Sequence, residues 1–599
     1  MKRALLAAAF ILSFPALATA ATIGGTLDGA DGKPLPPATV KLQNGRGHIA
    51  QSVTTDAKGH YFFKSVGAGS YVLLATKKDA VLASASVSVN ADSVARKDMS
   101  LAAAPVLNVV IAQRRDFRNG LSPKTGTSAY RLDRKAIAAL PQGADTSLNK
   151  VLLQTPGVAE DSAASGSLHI RGEHGNVQYR LNGILLPEGI DGFGNMIDTH
   201  IVDSVTLLDG ALPAQYGFHT AGVVDIETKN GFANGGAASV MGGSNDTIQP
   251  SVSYGGTTGS TAYFVSASHL SSDLGIENPT SGHNAIHDHT EQDKQFGYAS
   301  YMINPMQNVE IIAGNSISHF EIPNNPGQTP ANGYQYNGIS SFNSADLNER
   351  QFESNQYFTA AWQGENDGVQ VQIAPFIRNS ETHFTPDTTG DLLFNGVASD
   401  VKYTDLVTGL QNDNSWRIDA AHTLRMGFSA QNDHVNNDST SLAFTTAGGA
   451  VVPDGSGNDA VTSVVSNKTK DGQLYGLYLQ DEWKIDDALT LNYGARFDDM
   501  EQYVSANQLS PRIGLVYKAT PTTTLHAGYA RTFTPPPMEL VSNGDIAAFA
   551  NTTNAATVTQ NSPVKPERAN DFDVGVTQKI GSHWQVGADG YYKLVHDLL

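Results

Sequence analysis

The residue with the clearest chemical demand is Arg171, in the run Ile170-Arg171-Gly172. A guanidinium that directly follows an apolar strand residue sits part-buried, and there it needs carboxylate partners. Two readings stay open: Asp or Glu from a surrounding wall of strands, or a turn that Arg171 caps within its own domain. A second group, His283, His287 and His289 with Asp288 between two of them, lies in one polar stretch. Imidazoles so close in sequence can take a metal. No compact ligand set completes a defined geometry, and no supporting shell can be named, so the expectation is a solvated loop. Neither a metal nor a cofactor is predicted. The chain has no cysteine, which removes disulfides, Cys-type zinc sites and thiol catalysis together. P-loop, Rossmann and GxSxG patterns are absent, so no catalytic residue is assigned and no enzyme is expected. Asn245-Asp-Thr and Asn437-Asp-Ser fit the glycosylation triplet, a pattern short enough to recur by chance.

The elements that must position Arg171 are legible on either side of it. Leu148 to Val158 reads as an amphipathic helix that Pro156-Gly157 terminates. Leu168-His-Ile leads into Arg171 as a strand. Val177 to Leu186 reads as a hairpin around Asn182-Gly183, a type I′ turn pair. Ile201 to Gly210 and Gln215 to Asn230 follow as further strands. Gly172, Gly183, Gly210, Gly217 and Gly222, with Tyr216 beside one of them, allow positive φ or close backbone approach in a confined space. Upstream, Leu107-Asn108-Val109-Val110-Ile111 is a short apolar run that could add a strand to another protein's sheet edge, or belong to the local fold.

Composition sets the wider frame. Of 599 residues, 40% are hydrophobic and only 16% charged, with 58 glycines. That balance favours many short strands joined by turns. Acidic residues outnumber basic ones by 58 to 39, a formal charge of −19. Nucleic acid is therefore not an expected partner, since phosphate binding needs a basic face. Residues 1–20 carry Lys2 and Arg3, an apolar run, and Ala18-Thr19-Ala20, which reads as a cleaved signal peptide and places the mature chain outside the cytoplasm. No later stretch is apolar for the ~20 residues that a spanning helix needs. Any span must then be built of strands, and lipid tolerates strands only as a closed barrel.

From Thr22 to about Leu101, short alternating strands are punctuated by turns such as Asp56 to Gly59, which feeds Tyr61 and Phe63 inward. This segment, bounded at 21–103, resembles the carboxypeptidase regulatory-like domain, a small Ig-like β-sandwich; no proteolytic machinery accompanies it. The order of helix, Pro156-Gly157, Ile170-Arg171-Gly172, Asn182-Gly183 hairpin, then Tyr216-Gly217 and Ala221-Gly222, resembles the plug domain of TonB-dependent receptors, bounded at 131–230. By that resemblance Leu107–Ile111, within a linker at 104–130, is similar to the TonB box. Plugs of this family usually carry an Arg and a Glu in the strand that here reads Asp203 to Gly210, and that pair is missing.

Residues 231–599 repeat strands of about ten residues with alternately short and long connections, as an outer-membrane β-barrel does. Turns at Gly364 to Gly368 and at Asp486-Asp487-Ala488 should face the periplasm. The polar stretches His319 to Glu353 and Val435 to Asp471 should face outward. Tyr298, Tyr301, Tyr475 and Trp483 read as interface girdles. Tyr529 to Leu540 and Pro563 to Val576 resemble segments found late in these barrels. The count is roughly fifteen strands, against an even number near 22 in such transporters, so the expectation is a fold that is mainly β, with C-terminal strands missing.

The resemblance implies a receptor of the Gram-negative outer membrane, embedded in its lipid. It implies import of a scarce extracellular ligand to the periplasm, coupled to a TonB-like energy transducer. Siderophores, vitamin-like cofactors, oligosaccharides and peptides all remain open as ligand. The alternative is an outer-membrane binding or adhesion protein without transport; an enzyme using the sandwich as an accessory would need a catalytic constellation.

Overall fold

A computed structural model describes residues 21–598 apart from 29–33, 36, 45–48, 78–79, 91–92, 101–126, 161–167, 175, 188–196, 230, 277–285, 305, 539–545, 558–563 and 582–583. The signal-peptide reading, the Leu107–Ile111 run and His283 lie outside the described residues.

The N-terminal unit is a pair of four-stranded sheets. One orders His60–Val66, Ala21–Asp28 and Val94–Arg96, with Met99–Ser100 also paired to the strand at Ala21–Asp28. The other orders Ile49–Thr54, Thr39–Asn44, Gly69–Lys77 and Ala80–Val89. Alternation sends Ile23, Leu27, Val40, Leu42, Tyr61, Phe63 and Leu73 into one shared core. The turn expected at Asp56 forms because the Asp56 carboxylate accepts from the amides of Lys58 and His60, each at 2.8 Å. Gly59 completes it at φ +73°, where a Cβ would lie 2.6 Å from the Leu27 carbonyl oxygen.

The central domain is built on a five-stranded sheet ordered Ile184–Leu185, Val177–Leu181, Gly222–Thr228, Val202–Asp209, Ser128–Asp133. Val177–Leu181 runs parallel to Gly222–Thr228, and the other pairs are antiparallel. The first strand of this sheet opens at Ser128, inside the stretch read from sequence as linker. Asp133 ends it and caps the helix Arg134–Ala138 by accepting from the Ala136 amide. The helix expected from Leu148 is one short turn, Leu148–Leu152. A residue before proline is pushed out of the α region, so Thr155-Pro156 limits any extension; Gly157 then reverses the chain at φ +77°. Leu148, Val151, Leu152, Ile170, Leu181, Val205, Leu207, Val224 and Ile226 pack together beneath the sheet.

Fifteen strands from Gly235–Gly242 to Trp584–His596 form one antiparallel sheet in sequence order, with only the separate strand pair Thr446–Ala447 and Ala450–Val451 falling between two of them among the described residues. The number agrees with the count made from alternation. The lengths do not: Val397–Arg417, His422–Phe444 and Val461–Lys484 run 21, 23 and 24 residues. Much of the supposed outward stretch from Val435 to Asp471 is therefore strand, and the connection is 445–460. Likewise His319 belongs to Gln307–Glu321 and Glu353 to Arg350–Asn366, leaving 322–349 between them.

The polarity of this sheet is inverted relative to a water-soluble one. In Ser505–Lys518, Gln508, Ser510 and Arg512 are 4%, 0% and 4% exposed, whereas Leu509, Ile513 and Leu515 are 61%, 48% and 37% exposed. Strands that alternate polar-in and apolar-out suit a lipid surround. Tyr301, Tyr475 and Trp483 sit on that outer face. Tyr298 does not: it is buried, with Asn182 donating to its hydroxyl and Phe232 packed edge-on, so its girdle assignment is corrected. Among the described residues no helix is long and apolar enough to cross a membrane.

Candidate functional site at the contact between the central domain and the strand wall

The central domain meets the inner face of the fifteen-stranded sheet through an apolar patch, where its core joins Phe264, Phe296, Tyr298, Ile312, Tyr357, Ala361 and Ala374, and through a set of charged and amide side chains. Arg171 is the hub. Its φ is +51°, a left-handed conformation that turns the chain and swings the side chain off the Leu168–Ile170 strand. Its Nη2 and Nε donate to the two oxygens of Asp209 at 2.9 and 3.0 Å, within the domain. Its Nη1 donates to Asp573, on the wall strand Glu567–Ile580, at 2.6 Å. Nη2 also reaches the Ser128 hydroxyl at 3.1 Å, and the guanidinium lies 4.4 Å from the centroid of the Tyr591 ring. Arg171 takes a carboxylate partner in the wall, Asp573, as the first reading expected; inside its own domain it pairs with the Asp209 side chain rather than capping a turn. Burial pushes the Asp209 carboxyl up to about 6, against the pull of Arg171.

Gly210, at φ +82°, follows Asp209 and makes room for this cluster. A Cβ there would lie 2.4 Å from Asp573 Oδ2 and 2.9 Å from Arg171 Nη1. Gly172 and Gly183 also sit at positive φ, +85° and +80°. Gly217 and Gly222 serve close approach instead. A Cβ on Gly217 would lie 2.0 Å from Arg496 Nε, and one on Gly222 would lie 2.9 Å from Ile170 Cδ1.

The Asn182-Gly183 turn, with both residues at positive φ, places a second set of contacts. Asn182 Nδ2 donates to Glu310 of the wall at 2.8 Å, while its Oδ1 accepts from the Thr228 amide at 2.9 Å. The Gly183 carbonyl accepts from Gln372 and Arg180. Arg180 is buried and donates to Asp413 of the wall at 3.0 Å, with its guanidinium 4.9 Å from the Tyr216 ring centroid. Tyr478 donates to the other oxygen of Asp413 at 2.7 Å.

Further round the wall, Arg496 pairs with Asp498 at 2.5 Å and lies 4.9 Å from the Phe218 ring centroid. Arg512 donates to the carbonyls of Leu212, Pro213 and Tyr216 at 3.1, 2.7 and 2.7 Å. Lys593 reaches Glu173. The wall partners Asp573, Asp413, Glu310, Arg496 and Arg512 were not singled out from sequence. Their signal was present: each is an ionisable residue at an inward position of an alternating strand, as in Phe572-Asp573-Val574, where both neighbours point outward.

Of the three loop histidines, the described pair do not converge. His287 contacts the Ala345 carbonyl and His289 contacts Asp273.

Comparison with known proteins decides the family. Residues 279–599, more than half the chain, match the model of the TonB dependent receptor-like β-barrel. The chain belongs to the TonB-dependent receptors. Residues 124–224 match the TonB-dependent receptor plug domain, and 22–102 match the carboxypeptidase regulatory-like domain. The central domain is thus the plug and the long sheet the barrel wall of a family built for the Gram-negative outer membrane. No curated protein matches the sequence.

Solved structures share the fold at low identity. FpvA of Pseudomonas aeruginosa, bound to a heterologous ferric pyoverdine, aligns at 14% identity and a TM-score of 0.56, covering 78% of this chain and 63% of its own. The FrpB iron transporter of Neisseria meningitidis aligns at 14% identity and a TM-score of 0.57, covering 79% and 73%. The ferric yersiniabactin uptake receptor FyuA of Yersinia pestis aligns at 13% identity and 0.56, covering 80% and 74%. The chain thus spans under two thirds of FpvA.

Proposed function

We propose that this receptor imports a scarce extracellular ligand to the periplasm through the barrel, and that displacement or rearrangement of the plug opens the path. One observation carries the reading: away from the apolar patch where the plug core meets Phe264, Phe296, Tyr298, Ile312, Tyr357, Ala361 and Ala374 of the wall, the plug is seated on ion pairs and hydrogen bonds. Arg171–Asp573, Arg180–Asp413, Asn182–Glu310 and the Arg512 carbonyl contacts join the two. Ion pairs and hydrogen bonds have alternatives in water, so such a seat can open and reform if water enters as it parts. The apolar patch shared with the wall would lose its transfer free energy on parting, so the polar side of the seat is where yielding costs least.

In this proposal the Leu107–Ile111 run couples the plug to a TonB-like transducer by strand addition. Arg171 and the plug glycines form the seat that must yield. The ligand is captured by the connections on the side of the long loops and by the plug. The solved neighbours named above act on iron or ferric siderophores, which makes ferric chelates the first ligand class to try.

Deleting Leu107–Ile111 tests the coupling. With labelled iron(III) chelates as probes in cells, we expect uptake to stop while surface binding persists. Unchanged uptake would refute the coupling, and binding without uptake in the unaltered chain would favour an adhesion or binding role.

A further inference from the structure

Beside the Arg171 pair lies a set of side chains that plug anchoring does not require. His526, Asp573 and Asp589 come from three consecutive wall strands, Thr523–Thr534, Glu567–Ile580 and Trp584–His596. His526 Nε2 lies 3.0 Å from Asp573 Oδ1 and 3.1 Å from Asp589 Oδ1. All three ligand atoms fall within 4.8 Å of one another. A neutral imidazole has one hydrogen or one lone pair at Nε2, so it cannot serve two carboxylates well.

The geometry points to a binding site for one divalent cation of the zinc class, held by His526 Nε2, Asp573 Oδ1 and Asp589 Oδ1. With bonds of about 2.0–2.1 Å, neighbouring ligands of a tetrahedral zinc stand about 3.3 Å apart. The two histidine-to-carboxylate spacings are close to that edge. Ser128 Oγ, 3.5 Å from both His526 Nε2 and Asp573 Oδ1, stands where a fourth ligand or a bound water would complete the shell.

Three further observations support the assignment. The outer oxygen of each carboxylate is already held by a donor from the plug. Arg171 Nη1 donates to Asp573 Oδ2 at 2.6 Å, and the Tyr130 hydroxyl donates to Asp589 Oδ2 at 2.9 Å. Ligating carboxylates are oriented by such partners. Next, the wall leaves room: a Cβ on Gly575 would lie 2.0 Å from Asp589 Oδ1 and 2.7 Å from His526 Nε2. Finally, the charge is unbalanced. Three carboxyl groups, Asp209, Asp573 and Asp589, cluster around one guanidinium, Arg171, among the described residues, an excess of acidic groups that a dication would offset. Because the ligands are in the wall and their orienting donors in the plug, a bound cation would tighten the seat at Arg171.

The test uses the full chain in detergent with Zn²⁺ and Co²⁺ as the only probes. We expect one saturable site per chain and Co²⁺ absorption of tetrahedral intensity. His526→Ala and Asp589→Asn should abolish both signals. Tyr130→Phe, which removes an orienting donor, should weaken binding about 10- to 100-fold. Gly575→Ala should displace the ligands sterically, with barrel content checked by circular dichroism. Should variants fail to fold, the unaltered chain still decides: no saturable site, or a Co²⁺ spectrum without tetrahedral character, overturns the proposal. A site that survives in folded His526→Ala overturns it as well.

Discussion

Arg171, Arg180 and Glu173 on the plug side of the seat are each matched to a wall residue, Asp573, Asp413 and Lys593, and the consequences are testable one side chain at a time. Arg180 is buried with Asp413 as its carboxylate partner in the wall. Asp413→Asn leaves that guanidinium with no compensating charge, and breaking a buried pair costs about 3–5 kcal/mol. We expect urea unfolding in detergent to shift by that order, while Arg180→Met combined with Asp413→Asn recovers much of the loss. A double variant as unstable as Asp413→Asn alone would contradict the pairing. Gly217→Ala tests close approach rather than charge. Its methyl would land on the guanidinium of Arg496, at 2.0 Å from Nε and 2.3 Å from Cζ, and force it off Asp498. Overpacking of this kind costs about 1–3 kcal/mol, read from the same unfolding curves. Arg171 and the glycines could be picked out from sequence because an arginine after an apolar strand residue, and glycines near turns, make local demands. Asp573 and Asp413 could be recognised as inward-facing charges but not matched to their plug partners, since period-two alternation says which residues face inward but not which strand stands opposite the plug.

At the scale of elements, the fifteen strands were countable but their lengths were not. The part of a strand that crosses lipid needs only about 9–11 residues, and only there does an apolar face alternate with a polar one. Beyond it both faces are wet. In Asn432 to Ser441 the polar run Asn-Asp-His-Val-Asn-Asn-Asp-Ser-Thr-Ser stays in register with Gln473 to Val464 although its apolar period has vanished. The short turn Thr199–Ile201 of the plug offers a pH-dependent element. Its cap, Asp198, accepts from both the amide and Nδ1 of His200 at 2.8 Å. The hydrogen bond to Asp198 raises the His200 pKa above its ordinary value. A raised histidine pKa in the folded state means the folded state holds the proton more tightly, so the stabilisation is full below about 6.5 and is lost as pH rises through the higher folded value. Hydrogen exchange at residues 199–202 should therefore quicken from pH 6 to pH 8 beyond its intrinsic rise. His200→Gln should remove that excess; an excess that persists in the variant would assign it elsewhere.

For the whole molecule, the account rests on a plug held in its wall by an apolar patch on one side and by separable polar contacts on the other, which must yield for passage. The inverted polarity of the wall, apolar outward and polar inward, is what makes the polar contacts of the seat possible, whereas composition foreshadowed only many short strands joined by turns. The sequence has no cysteine, so an introduced pair is the only thiol chemistry present. Leu185, whose amide donates to Gln411 of the wall at 2.8 Å, supplies the pair Leu185→Cys with Gln411→Cys. The direct measurement is uptake of a labelled iron(III) chelate that the unaltered receptor accepts, before and after crosslinking and again after reduction. We predict that crosslinking stops uptake, leaves surface binding in place, and is reversed by reductant. Uptake undiminished in fully crosslinked receptor would contradict the account.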